Sequence, residues 1–152
     1  MNRLSTEKRA QIIAALVEGC SVRSVARMTG ASKNTIAKLL IELGAACSAY
    51  MDKTLRNLPC KRIQADEIWS FIGAKQKNVT PQTIERGAIG DVWTWVALDA
   101  ETKLVPCWYV GGRDAASAIE FISDLASRLA NRVQLTTDGY KVYLEAVEGA
   151  FG

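Results

Sequence analysis

The 152-residue chain contains no histidine. That absence excludes Ser-His-Asp and Cys-His nucleophile pairs, and any histidine-ligated zinc or iron site, within the chain. Its four cysteines, Cys20, Cys47, Cys60 and Cys107, stand 27, 13 and 47 residues apart. No pair has the two-residue spacing of a zinc knuckle or redox motif, so they read as reduced thiols of a cytosolic protein. Long apolar runs are also missing. Residues 1–8 carry no signal-peptide core and nothing approaches a membrane span, so the expectation is a cytoplasmic protein with no membrane partner. What is present is globular: 49% apolar and 23% charged residues, at a length that buries a core in one domain or two small ones.

The net charge of +3 conceals a division. Residues 1–62 hold 11 Lys/Arg against 4 Asp/Glu, a net of +7; residues 63–152 hold 8 against 12, a net of −4. A basic half joined to an acidic half points to one part that binds a polyanion and another that does different work. Segregated, merely solvated charge gives the same count, and charge alone does not choose.

In the basic half, Ser5 opens an amphipathic run with Ile12, Ile13, Leu16 and Val17 at helical spacing up to Gly19. Ser21 has the chemistry of an N-cap for a second, short helix over 22–28, with Val22, Val25 and Ala26 inward. Gly30 supplies the positive φ of a tight corner, and Ser32 then caps a third helix with Ile36, Leu39, Leu40 and Leu43 inward. The small Ala26, the corner Gly30 and the anchor Ile36 resemble the helix-turn-helix signature of DNA-binding proteins across residues 22–41. Lys33, Asn34, Thr35 and Lys38 would then face out at the end that enters a major groove, where Lys donates to guanine and Asn pairs with adenine. Arg23, Arg27 and the Ser32 hydroxyl are placed for backbone phosphates. A three-helix adaptor with solvated basic residues is the bland alternative. A helical pattern continues over 45–58 to Pro59, giving expected divisions of 1–44 for the helix-turn-helix, 45–61 for a connecting helix and linker, and 62–152 for a second domain.

Beyond residue 62 the pattern becomes strand-like at 63–71, 91–98 and 104–110. In the second run Val92, Thr94, Val96 and Leu98 alternate with Trp93, Trp95 and Ala97, both sets apolar enough to predict a strand covered on both faces. Residues 99–103 make a hairpin connection, and Asp114 starts an amphipathic helix with Ala118, Ile119, Phe121, Ile122, Leu125 and Leu129. Residues 133–136 read as a fourth strand and 140–147 as a helix broken by Gly149. The 17 residues 74–90, with Lys75, Lys77, Asn78 and Arg86, read as a long loop, either a DNA contact or solvated. The four tryptophans read as sheet packing.

The predicted order is β-β-β-α-β-α, with the fourth strand added in parallel by a right-handed crossover. This is the order of the ribonuclease-H-like fold, here incomplete, so the fold class is α+β. Asp66 lies inside the first strand, where propensity disfavours a carboxylate, and Asp138 lies just past the fourth. First and fourth strands are neighbours in such a sheet. Two converging carboxylates repel unless a cation lies between them, and an oxygen-only pair suits Mg2+ or Mn2+.

The strings Asp66-Glu67-Ile68-Trp69-Ser70-Phe71 and Thr137-Asp138-Gly139-Tyr140 resemble the first two acidic motifs of DDE transposases of bacterial insertion sequences, most closely the insertion sequence one family. The resemblance spans about residues 60–145 and is compatible with an upstream helix-turn-helix. It implies Asp66 and Asp138 as catalytic metal ligands, double-stranded DNA (element ends and target) as partner, a homo-oligomer for synapsis, and nucleoid association. The family's third acid, a glutamate on a later helix, has no counterpart: Glu145 and Glu148 follow Asp138 too closely. The expectation is therefore a C-terminally truncated transposase, inactive alone. Glu67, one residue from Asp66, is aimed by alternation at the opposite sheet face, with a salt bridge or a helix-facing contact as its expected role. A non-enzymatic helix-turn-helix regulator and another ribonuclease-H-like nuclease are the competing readings.

Overall fold

A computed structural model describes residues 4–84 and 89–152, Thr83 by its backbone alone. Arg86 lies outside the described residues. The chain is α+β and divides into two compact units, 1–52 and 53–152.

In the first unit, α1 (Thr6–Val17) and α2 (Val22–Thr29) each begin at a serine whose hydroxyl accepts a first-turn amide, Ser5 from Lys8 and Ser21 from Ser24. Gly30 ends α2 at φ 69° and ψ 2°, a left-handed conformation in which a Cβ is strained. Ser32 Oγ accepts the Thr35 amide at 3.1 Å, and α3 (Lys33–Thr54) follows. Ile12, Val25, Ile36 and Leu39 are the buried residues of this core. Leu40, expected inward, is exposed: it shares the Ile36 face of the helix, but the small hydrophobic cluster closes over Ile36 and Leu39 without reaching it. The expected connecting helix is the C-terminal part of α3 itself. It stops at Thr54, before Pro59, and the chain then turns through Asn57 in a left-handed conformation, at φ 55°.

The second unit is a four-stranded mixed sheet in the order β3-β2-β1-β4. Strands β1 (Arg62–Ile72) and β2 (Gly90–Asp99) form a long antiparallel ladder, from Ile63 opposite Asp99 to Ile72 opposite Gly90. The connection between them is not wholly irregular: it holds a 3-10 turn at Gln76–Asn78 and the four-residue α4 (Pro81–Ile84). Strand β3 (Trp108–Gly111) is shorter than the expected 104–110. Pro106 has no amide hydrogen for a ladder, although the Ala97 amide still donates to the Cys107 carbonyl and the Asp99 amide to that of Leu104.

Asp114 caps α5 (Ala115–Arg128) through the Ser117 amide at 2.8 Å, and α5 leads to β4 (Gln134–Thr136), which pairs in parallel with β1. Then α6 (Val142–Phe151) continues through Gly149, which the sequence pattern places as a break. Helices α5 and α6 bury Ile63 and Ala65 of β1 and Trp95 and Ala97 of β2, together with Phe121, Ile122, Leu125 and Tyr143. The other sheet face, expected to be covered, is partly open: Ile68, Trp108 and Val110 are exposed, and Val92, Thr94, Val96 and Leu98 are half-buried. None of the described helices is long and apolar enough to cross a membrane.

Candidate functional site

Parallel pairing sets the site. Gln64 of β1 stands opposite Thr136, the last residue of β4. Two residues further along each chain are Asp66, still inside β1, and Asp138, on the loop that leaves β4. One carboxylate oxygen from each of Asp66, Glu67 and Asp138 lies within 4.8 Å of the others. Sequence positions 72 apart are thereby brought together, and Glu67 joins them.

Each acid is fixed differently. Asp66 is exposed, with its Oδ1 accepting the Glu67 amide at 2.8 Å. Asp138 closes its own turn: Oδ1 accepts the Tyr140 amide at 2.9 Å, and Gly139 takes φ 85° between them. The Glu67 side chain is only 1% exposed. Its Oε1 is buried without a hydrogen-bond partner among the described residues. Alternation does send Glu67 to the helix-covered face, and the expected salt bridge is there, but its carboxylate still reaches the other two.

The partner of that salt bridge is Arg113, which sequence reasoning passed over. Its Nε donates to Glu67 Oε2 at 3.2 Å and its Nη2 to Asp138 Oδ2 at 3.4 Å. The guanidinium lies 4.1 Å from the centroid of the Tyr140 ring and 5.0 Å from that of Trp93, both within cation–π range. Tyr140 Oη donates back to the Arg113 carbonyl at 2.9 Å, and Trp95 Nε1 to the Gly112 carbonyl at 3.0 Å. A Cβ on Gly111 would fall 2.6 Å from the Tyr109 ring and 2.8 Å from Ser117 Oγ, so one of those side chains would have to move. The signal in the sequence was Gly-Gly-Arg ahead of the Asp114 cap, an arginine at the helix end where a cation is least favoured. Below the cluster, burial pushes the Tyr143 hydroxyl far above the ordinary tyrosine range, and the Glu67 carboxylate adds to the shift.

The donor set is oxygen only, which suits a hard divalent cation such as Mg2+ or Mn2+. The buried Glu67 Oε1 lacks a hydrogen-bond partner among the described residues, as does the Tyr143 hydroxyl beside that carboxylate; a cation or that hydroxyl would satisfy it. Asp66, Glu67 and Asp138 therefore fit a metal. Glu145 and Glu148 are exposed on α6 and are not members of this acidic group.

No family model and no curated protein matches the chain.

The remaining predicted residues lie in the first unit. Arg23 and Arg27 are exposed one turn apart on α2, and Arg27 Nη2 donates to Ser24 Oγ at 3.2 Å. Lys33, Asn34 and Lys38 are exposed at the start of α3. Ser32 and Thr35 are occupied with each other, their hydroxyls 2.9 Å apart, so Ser32 serves first as the cap of α3. In the second unit the tryptophans divide. Trp95 is fully buried, as expected, whereas Trp69 is 40% exposed beside Phe71, with Lys75 Nζ 5.0 Å from its ring centroid.

Proposed function

We propose that the chain is a DNA-binding, divalent-metal-dependent phosphoryl-transfer protein of the insertion-sequence transposase type. In this reading residues 1–44 are a helix-turn-helix domain and the sheet with α5 and α6 is a ribonuclease-H-like catalytic unit. The observation that carries it is the meeting of Asp66 and Asp138 where β1 runs on past the end of β4. Two carboxylates 72 positions apart converge there, as an oxygen-only cation site would require.

Asp66 and Asp138, with Glu67 beside them, would hold Mg2+ or Mn2+. When bound, the metal polarises a phosphodiester and activates the attacking oxygen. The protein's own share is positioning: the β1–β4 pairing brings the two aspartates together, and the Asp138–Tyr140 turn holds Oδ1 on the Tyr140 amide and leaves Oδ2 facing Arg113. DNA is held electrostatically by the basic first unit, with Lys33, Asn34, Thr35 and Lys38 toward base edges and Arg23, Arg27 and Ser32 toward phosphates. Double-stranded DNA is thus the partner, as element ends and target, and the expected setting is the nucleoid. Synapsis of two ends would call for a homo-oligomer.

The second reading, a non-enzymatic helix-turn-helix regulator, is favoured by one observation. The Arg113 guanidinium already neutralises part of the acidic cluster, as it would in a structural network. Calorimetric titration with Mn2+ separates the two. The first reading expects binding that Asp66→Ala and Asp138→Ala each abolish; a wild-type chain with no measurable Mn2+ affinity selects the regulator. In either case DNA affinity falls steeply with salt; Arg23→Ala and Arg27→Ala each lower the log–log slope by about 0.9, and Lys33→Ala and Lys38→Ala weaken binding and relax its base preference.

A further inference from the structure

We infer that Arg113 grips a phosphate oxygen at the three-acid site, and that it becomes available for this when a divalent cation takes the carboxylates from it. The inference rests on the metal-site reading above.

The chain contains a built-in contrast. Arg128 is a structural arginine: its Nε sits 2.9 Å from both oxygens of Asp124, and its side chain is 6% exposed. Arg113 is held otherwise. It spans two carboxylates at 3.2 and 3.4 Å, longer than the 2.7–2.9 Å of tight charge-assisted bonds, and its side chain is 37% exposed. Its position does not depend on those carboxylates alone. The Tyr140 and Trp93 rings flank the guanidinium, and the Tyr140 and Trp95 donors fix the backbone at Arg113 and Gly112. If the acids turned to a metal, the rings would still keep the guanidinium beside the site.

Charge and geometry then select the ligand. Three carboxylates and one guanidinium leave a formal net of −2, which repels a phosphodiester and attracts a divalent cation. One such cation brings the cluster to neutrality. The guanidinium has five N–H donors in a planar fork, and the two bonds to Glu67 and Asp138 use only Nε and Nη2. A phosphate reaching a cation on Asp66 and Asp138 lies within reach of a guanidinium already 3.4 Å from Asp138. A planar fork beside a phosphate makes the bidentate contact that a lysine cannot.

The test uses the full chain as wild type, Arg113→Gln, Arg113→Lys and Asp66→Asn. Free Mn2+ is followed by electron paramagnetic resonance. The phosphodiester dinucleotide thymidylyl-thymidine is followed by the broadening of its phosphorus resonance by bound Mn2+. Arg113→Gln should bind Mn2+ about tenfold more tightly, because a cation competing for the same oxygens at close range is gone. The same variant should bind the dinucleotide about tenfold more weakly, with partial recovery in Arg113→Lys. Mn2+ binding weakened or unchanged in Arg113→Gln would make the guanidinium a structural brace and overturn the inference, as would unchanged dinucleotide binding. If Asp66→Asn abolishes Mn2+ binding in that case, the metal-site reading survives without it. If neither wild type nor Arg113→Gln binds Mn2+ in an Asp66-dependent manner, both fail. Unchanged near-ultraviolet circular dichroism of Arg113→Lys guards against misfolding as the cause of any loss.

Discussion

Replacing Glu67 by Gln removes one charge and leaves the shape, which isolates the ion pair at the centre of the second unit. Glu67 is almost fully buried and Arg113 is 37% exposed, with Asp138 as a second acceptor. Breaking a fully buried pair costs about 3–5 kcal/mol. The solvent around Arg113 and its remaining carboxylate discount this to about 1–2 kcal/mol. Urea unfolding followed by tryptophan fluorescence measures the right unit, because Trp69, Trp93, Trp95 and Trp108 all lie within 53–152. The midpoint should fall at an unchanged slope, since the surface exposed on unfolding is the same. A double-mutant cycle with Arg113→Gln should return a coupling of about 1–2 kcal/mol. The hydroxyl of Tyr143 offers an independent readout. Burial keeps its ionisation above the ordinary range, but losing the Glu67 charge should move it downward in an ultraviolet titration. A coupling near zero, with no movement of Tyr143, would refute the placement of Glu67 as a buried, charged partner.

Trp95 is fully buried, stands edge-on to Tyr143 at 5.6 Å and donates to the Gly112 carbonyl. Trp95→Ala should cost about 3–5 kcal/mol, and Trp95→Phe about 1 kcal/mol for the lost hydrogen bond plus a smaller packing loss; equal effects in urea would contradict this. Thiol reactivity should follow burial. Cys47 is exposed, while burial pushes Cys107 up to about 12 and raises Cys60 as well, so at pH 8 a disulfide reagent should modify Cys47 first and Cys107 only on unfolding. Acid should destabilise the second unit. The Thr102 hydroxyl holds Asp99, and the Ser117 amide holds Asp114, below the usual carboxylate range. Their contribution is present above the unfolded value near 4 and is lost as pH falls through the depressed folded values. The urea midpoint should therefore be flat from pH 7 to about 5 and drop from about 4 downward, less steeply in Asp99→Asn; a midpoint that rises on acidification would count against both assignments.

The local chemistry of the fold was legible where one residue decides it. Ser5, Ser21 and Asp114 cap helices because their side-chain oxygens meet orphan amides, and Gly30 turns the corner because it alone lacks the clashing Cβ. The parallel β1–β4 pairing followed from the helical crossover between Gly111 and Gln134. Element ends were harder where two tendencies compete. Gly149 stays inside α6, a helix that packs against α5, where burial outweighs about 1 kcal/mol of glycine entropy. Pro106 shortened β3, although alternation continued through it.

Glu67 shows why the site itself was only half legible. The alternation rule sends residues 66 and 67 to opposite faces, and it holds: Ala65 is buried, Asp66 exposed, and the Glu67 side chain buried. Faces, however, separate side chains only where the sheet continues on both sides of a strand. The ladder between β1 and β4 ends with Gln64 opposite Thr136, so at Asp66 and Glu67 no strand residue remains on that side of β1. A carboxylate from each face can then lean around the open edge toward the loop that carries Asp138, and Arg113, projecting just before the α5 cap, meets two of them there. Periodicity describes a strand in isolation. The site arises where a three-residue neighbour runs out beside an eleven-residue strand, and that difference in length appears only once the register is known.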